Sequence, residues 1–238
     1  MDSRSIAISS AALWMYGSHA RGDADAESDL DLLVISEDGL DEGEVVSFAG
    51  LDSPRLSMSQ YSWAEIRGMA SYGSLFLQHI RLEGKCVKEG ESVRGQLTGI
   101  LESMPPYTRV VADVAGFRLA LLDAKDSLEG NGSAAFEASV LATLLRHASI
   151  LGCYISGFPS FGRIEPVRRI VRAWNLAPEI ADRFPDLYSF RIREDQHREL
   201  LDSPSRAALD LWCEHIERVI CRLEEDARDC KRRMSTAN

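Results

Sequence analysis

Asp29 and Asp31 are separated by one residue and lead into an otherwise apolar run, Leu30-Asp31-Leu32-Leu33-Val34-Ile35. In an extended strand both carboxylates project from one face, about 7 Å apart along the chain. Carboxylate oxygens are hard donors and suit Mg²⁺, which in phosphoryl chemistry takes one or two carboxylates and completes its shell with substrate phosphates. Two such ions neutralise a triphosphate and activate an attacking hydroxyl. Ten residues upstream stands Gly17-Ser18. The glycine lets the backbone approach a phosphate closely, the serine hydroxyl can donate to it, and a helix expected from about His19 would turn its first amides toward it. A turn aspartate and a loop Gly-Ser pair are the plainer account. Against it, a run as apolar as Leu30 to Ile35 reads as buried, and an unpaired buried charge is costly.

The elements that must hold these residues are short. Strands are expected at Leu13–Tyr16, stopped by Gly17-Ser18, at Leu30–Ile35 and at Leu56–Tyr61, all three read as central strands. Ser62-Trp63-Ala64-Glu65 has capping-box spacing, so a helix should start there and break near Gly68 to Gly73. A second helix over about Ser74 to Leu82 should end at Gly84, with Cys86-Val87 as a short edge strand. After about residue 91 the apolar period becomes helical, with segments near 93–103, 107–128, 134–155, 164–174 and 205–232. Phe184 to Gln196 fits neither pattern cleanly. The fold class is therefore α+β: a small mixed sheet domain at about 1–90 followed by an all-helical domain at about 91–238.

Composition narrows the partners. The 238 residues are 45% hydrophobic and 27% charged, which excludes disordered, collagenous and disulfide-framework classes. Five cysteines form no CxxC pair, as expected of reduced thiols rather than a zinc site. No uninterrupted apolar run reaches a membrane-spanning length, and the first residues carry no basic-then-apolar leader pattern, so a cytoplasmic location without membrane contact is expected. The net charge of −10 is concentrated in residues 1–62, which hold 12 acids against Arg4, Arg21 and Arg55. Such a surface repels nucleic acid unless cations or amides intervene.

With Gly17-Ser18, a ten-residue spacer and Asp29-x-Asp31, the run GSHARGDADAESDLDLLV resembles the signature of the DNA polymerase β-like nucleotidyltransferase superfamily, especially its minimal and antibiotic-modifying branches. The resemblance covers about residues 10–90. It implies that Gly17 and Ser18 bind nucleoside triphosphate phosphates, that Arg21 lies near them, and that Asp29 and Asp31 hold Mg²⁺. The implied reaction moves a nucleoside monophosphate from a nucleoside triphosphate to a hydroxyl on a small molecule, an RNA end or a protein side chain, releasing pyrophosphate. The family usually has a third carboxylate on the next strand. Here the polar alternates are Ser57, Ser59 and Tyr61, and the best register puts Ser57 at that position, with Asp52 and Glu65 as nearby acids. A serine binds Mg²⁺ far more weakly than a carboxylate.

That departure supports a second reading, a degenerate domain that binds a nucleotide or a partner protein without turnover, as an antitoxin-like or regulatory module. A third, RNA-directed reading rests on Arg163, Arg168, Arg169 and Arg172, which fit a solvated helix face at least as well. Glu137 is a candidate general base only by similarity to the helical domain of the antibiotic-modifying branch. His147 interrupts an apolar helix and reads as a core or interface residue. Arg191 and His197 have the Arg-x(4–6)-His spacing of HEPN ribonucleases, but with 23 Arg and 5 His chance supplies about one such match. The four tryptophans are scattered and read as core. Oligomeric state is open, a homodimer included.

Overall fold

Apolar side chains on both faces bury the two central strands of a small sheet from either side. The computed structural model describes residues 9–25, 28–50, 55–195 and 203–236. The chain divides into two compact units, Met1–Thr108 and Arg109–Asn238. The first contains β1 (Ala12–Tyr16), α1 (Gly17–Arg21), β2 (Leu30–Ile35), α2 (Glu42–Ala49), β3 (Leu56–Tyr61), α3 (Trp63–Ser71), α4 (Leu75–Glu83), β4 (Lys85–Glu89), a 3-10 turn (Glu91–Val93) and α5 (Gln96–Ser103). The strand order is β3-β2-β1-β4, with β2–β3 parallel and the β1–β2 and β1–β4 pairs antiparallel. This is the expected small mixed sheet.

One face of the sheet carries Ala12, Trp14, Leu33 and Ile35 against Trp63, Ile66, Leu77, Ile80, Leu97 and Leu101. The other carries Leu13, Leu30, Leu32 and Val34 against Leu40 and Val45. Double coverage explains why β2 reads as a continuous apolar run rather than an alternation. Fully burying each large side chain stabilises by about 1.5–3 kcal/mol.

Three expectations change. Leu56–Tyr61 is an edge strand, not a central one, and its Ser57 and Gln60 are exposed as an edge permits. Glu42–Ala49 is a helix that the sequence reading passed over. Its Asp41 side chain accepts from the Glu44 amide and the Glu44 side chain accepts from the Asp41 amide. The compact first unit extends to Thr108 rather than ending near 90. Val93, Leu97, Leu101 and Met104 bury into its core. Gly73, at φ +70°, packs on the Pro105 and Pro106 carbonyls where no Cβ fits. The Thr108 amide donates to the Tyr72 carbonyl at 3.0 Å.

The second unit is helical, as expected: α6 (Val110–Glu129), α7 (Ala134–Ile155), α8 (Glu165–Ala173), α9 (Glu179–Asp195) and α10 (Arg206–Thr236). α9 passes through Pro185, whose ring removes one backbone hydrogen bond. Ile180, Phe184 and Leu187 are buried on one side of it, and that packing holds the helix through the proline. α7 is long and apolar enough to cross a membrane by length and composition, and 67% of its most apolar window is buried. Cys86, Cys153, Cys213 and Cys221 form no disulfide.

Candidate active site

β1 ends at Tyr16 and turns at once into α1, whose first residue is Gly17. Gly17 is buried with φ +71°, a conformation L side chains rarely adopt. Antiparallel pairing sets Tyr16 opposite Asp31, so the turn lies over the start of β2. The Asp31 carboxylate occupies the space beside the Gly17 Cα. A Cβ there would meet Asp31 Oδ2 and stand 3.2 Å from its Cγ. Gly17 is thus required twice, by its backbone angle and by its neighbour.

Asp29 is exposed, and Asp31 is partly buried. Leu30 between them buries into the opposite face of the sheet, so alternation puts Asp29 on the Asp31 side. The approach to β2 is braced locally. The Ser28 hydroxyl donates to Asp25 Oδ1 at 2.7 Å and accepts from the Asp25 amide at 3.0 Å, and the Leu30 amide donates to the Arg55 carbonyl. In the parallel β2–β3 pair Asp31 stands in register with exposed Ser57. The Asp31 carboxylate therefore stands beside Gly17, with Ser57 its neighbour on β3 and the exposed Asp29 two residues before it. Among the described residues no group of three or more His, Cys, Asp and Glu clusters for a metal ion. Carboxylates at the entry to β2, one of them against the Gly17 turn, would fit Mg²⁺ held jointly with phosphate oxygens and suit a closed all-protein metal cage poorly.

Ser18 follows on α1, and its carbonyl accepts from the Gly22 and Asp23 amides, closing the helix at Gly22. Arg21 turns toward α4 instead of lying open. Its Nη1 donates to Glu83 at 2.8 Å and its Nε to Asp23 at 3.2 Å. Glu83 also bonds His79 Nε2 at 2.9 Å. Burial alone would push the Glu83 carboxyl up, but the bonds from His79 and Arg21 outweigh it and hold its pKa below the usual carboxylate range. The His79 ring in turn meets Tyr16 edge-on at 5.4 Å, and Phe76 does the same at 5.5 Å. The Tyr16 hydroxyl shares a 2.9 Å hydrogen bond with Ser59. Burial first, then the charges of Asp31 and Tyr61, raise its pKa despite that bond.

Tyr16, Ser59, His79 and Glu83 thus form the wall behind the Gly17 turn, and none was singled out as a site residue from sequence. Tyr16 adjoins Gly17 and was readable. Glu83 lies 62 residues from Arg21, a contact only the fold reveals.

The remaining candidates lie elsewhere. Glu137 is in the second unit, buried, and accepts a 2.5 Å hydrogen bond from Ser127, tying α7 to the end of α6. Arg163, Arg168, Arg169 and Arg172 are all exposed, with Arg169 paired to Glu165 at 3.0 Å, while Val167, Ile170 and Val171 bury. Glu65 is engaged in its capping box with Ser62. Asp52 and His197 lie outside the described residues.

Residues 3–74 match the family model of the nucleotidyltransferase domain, consistent with the DNA polymerase β-like superfamily. The match takes in Gly17, Ser18, Asp29, Asp31 and Ser57. No curated protein matches the chain.

Proposed function

We propose, taking the nucleotidyltransferase domain at residues 3–74 as the premise, that this chain is a Mg²⁺-dependent enzyme that transfers a nucleoside monophosphate from a nucleoside triphosphate to a hydroxyl acceptor. One observation carries the reading: the Asp31 carboxylate rests against the bare Cα of Gly17. Phosphate cradle and carboxylate then share one spot, as triphosphate chemistry needs. Asp29 and Asp31 would hold the ion, which supplies charge neutralisation for the phosphates and lowers the pKa of a bound hydroxyl. The Gly17 backbone and the Ser18 hydroxyl orient the β- and γ-phosphates so that the α-phosphorus faces the acceptor. The new bond joins the acceptor oxygen to that phosphorus as the hydroxyl gives up its proton to solvent, the bond from phosphorus to the bridging oxygen breaks, and that electron pair leaves on pyrophosphate. Catalysis of this kind is mostly positioning and electrostatics, with little covalent work for the protein. The acceptor class, whether small molecule, RNA end or protein side chain, is the open variable.

Mass spectrometry of reactions containing each of the four nucleoside triphosphates and candidate acceptors tests the reading. An acceptor heavier by one nucleoside monophosphate, formed by the intact chain and not by Asp29→Asn or Asp31→Asn, is the expected result. Transfer undiminished in both variants overturns it.

The register of Ser57 with Asp31 favours one alternative, a domain that binds nucleotide without turnover. Calorimetry showing Mg²⁺-dependent nucleotide binding with no pyrophosphate release in the presence of any acceptor would select that alternative.

A further inference from the structure

Helix α6 spends two of its faces inside the second unit. Val114, Leu121, Ala124 and Leu128 are buried. Along one flank Arg118 pairs with Glu217 and Glu224, and Lys125 with Glu217, which ties α6 to α10. The remaining face is open. It carries Val111, 58% exposed, Leu119, 62% exposed, and Leu122, 47% exposed, with exposed Ala112, Ala115 and Gly116 among them. At 3.6 residues per turn these six share one side of the helix, and from Val111 to Leu122 no other residue is exposed. A single exposed leucine is ordinary, whereas large apolar side chains gathered on one uncharged face mark a contact surface.

The order of large and small residues decides what fits that surface. Val111, Ala112, Ala115 and Gly116 lie toward the N-terminal end, Leu119 and Leu122 toward the C-terminal end. Such a face complements itself run backwards. With a two-fold axis level with residue 117, Leu119 lies over Ala115 of a second copy and Leu122 over Ala112, so each large side chain meets a small one. A parallel pair would set leucine on leucine and alanine on alanine, and the helices would splay. Charge selects the same arrangement. α6 starts at Arg109 with no side-chain cap on its first amides, while Asp123, Asp126 and Glu129 are exposed near its other end. Antiparallel packing brings Asp126 level with the start of α6 in the second copy, where uncapped amides and the positive end of the helix dipole favour a carboxylate. Parallel packing would set the three acids against their own copies.

We propose that the open face of α6 is the two-fold interface of a homodimer, in which two α6 helices pack antiparallel with Leu119 and Leu122 of each copy on Ala115 and Ala112 of the other. Six mostly small side chains per copy cover less than the roughly 800 Å² per partner of a standard interface, so the dimer is weak, with a Kd of about 10–100 µM. The interface lies within the second unit and stands independently of nucleotidyl transfer.

Sedimentation equilibrium of the full chain from about 1 to 300 µM, a range that brackets this Kd, should show a reversible monomer–dimer equilibrium. Leu119→Glu should weaken it at least about tenfold with unchanged circular dichroism, because the residue is exposed; Leu122→Glu replaces it if the helical signal falls. Ala115→Leu sets two leucines against each other and should weaken association about tenfold, and adding Leu119→Ala, which restores a large residue against a small one, should bring most of it back. Asp126→Asn should cost about fivefold. A chain that stays monomeric throughout overturns the proposal and leaves the face to a different protein. Association indifferent to Leu119→Glu or to Asp126→Asn overturns it too, as does association strengthened by Ala115→Leu, the mark of unspecific apolar contact, or not restored by the added Leu119→Ala.

Discussion

The Asp31 carboxylate fills the place where a side chain at residue 17 would begin, so Gly17 and Asp31 form one structural unit although 14 positions apart. A positive φ at residue 17 and the antiparallel pairing of Tyr16 with Asp31 produce that contact together.

Coupling between the two residues is therefore measurable as stability. Gly17→Ala should destabilise the chain by about 2–3 kcal/mol, from backbone strain plus displacement of the carboxylate. Made in an Asp31→Ala background, the same change should cost at least about 1 kcal/mol less, because only the strain remains. Urea denaturation of the four proteins closes the cycle, and strictly additive costs would show that the contact is absent.

Ser57 offers a gain-of-function test. Being exposed and in register with Asp31, it accepts an acid without disturbing the core. Ser57→Asp should tighten Mg²⁺ binding about tenfold by calorimetry, since a carboxylate outbinds a hydroxyl for a hard cation. Without Mg²⁺ the two neighbouring carboxylates repel, and the variant should melt lower than the parent; added Mg²⁺ should reverse the order. Unchanged Mg²⁺ affinity would place the metal elsewhere.

Glu83 acts as a positioning residue, because it holds Arg21 at the end of α1 and His79 against Tyr16. Its folded pKa lies below the unfolded value, so the stability it contributes is complete above about pH 4.5 and is lost as the pH falls through the lower folded value. Glu83→Gln should cost about 2 kcal/mol at neutral pH and flatten the acid limb of the stability profile. In turnover it should raise KM for the nucleotide more than it lowers kcat, whereas an equal loss in both terms would point to direct contact with the reacting atoms.

His147 titrates in the opposite charge sense. An unfolded imidazole takes up its proton near pH 6.5, the folded one only near pH 4, so stability is full above pH 6.5 and falls between those values as the pH drops. His147→Gln should remove that slope, as followed by thermal melts at pH 4 to 7. A His147 resonance titrating near pH 6.5 in the folded chain would contradict a ring held neutral by desolvation beside the Arg146 and Arg191 charges.

The candidate site stands out in the sequence because it breaks local rules. Two aspartates entering β2, with a Gly-Ser turn ten residues earlier, are hard to explain as core, and the polar alternates of β3 put Ser57 at the third-carboxylate position on the next strand, where the parallel pairing sets it opposite Asp31. What was hidden depended on tertiary contact. The Arg21–Glu83–His79 bridge joins α1 to α4 across the chain. α9 runs through Pro185 only because Phe184 and Leu187 bury beside it. α2 was readable from Asp41 and Glu44, but its short, acid-rich first turn obscured the helical period. Strand order was not legible either, since an edge and a central strand differ in neighbours rather than in pattern.

The central claim meets its most direct test in pyrophosphate release measured with Mg²⁺, each nucleoside triphosphate and a competent acceptor, for the parent chain beside Asp29→Asn and Asp31→Asn. Release by the parent, with a loss of at least about a hundredfold in each variant at unchanged helical content, is the predicted result. Equal release from all three proteins would contradict the account.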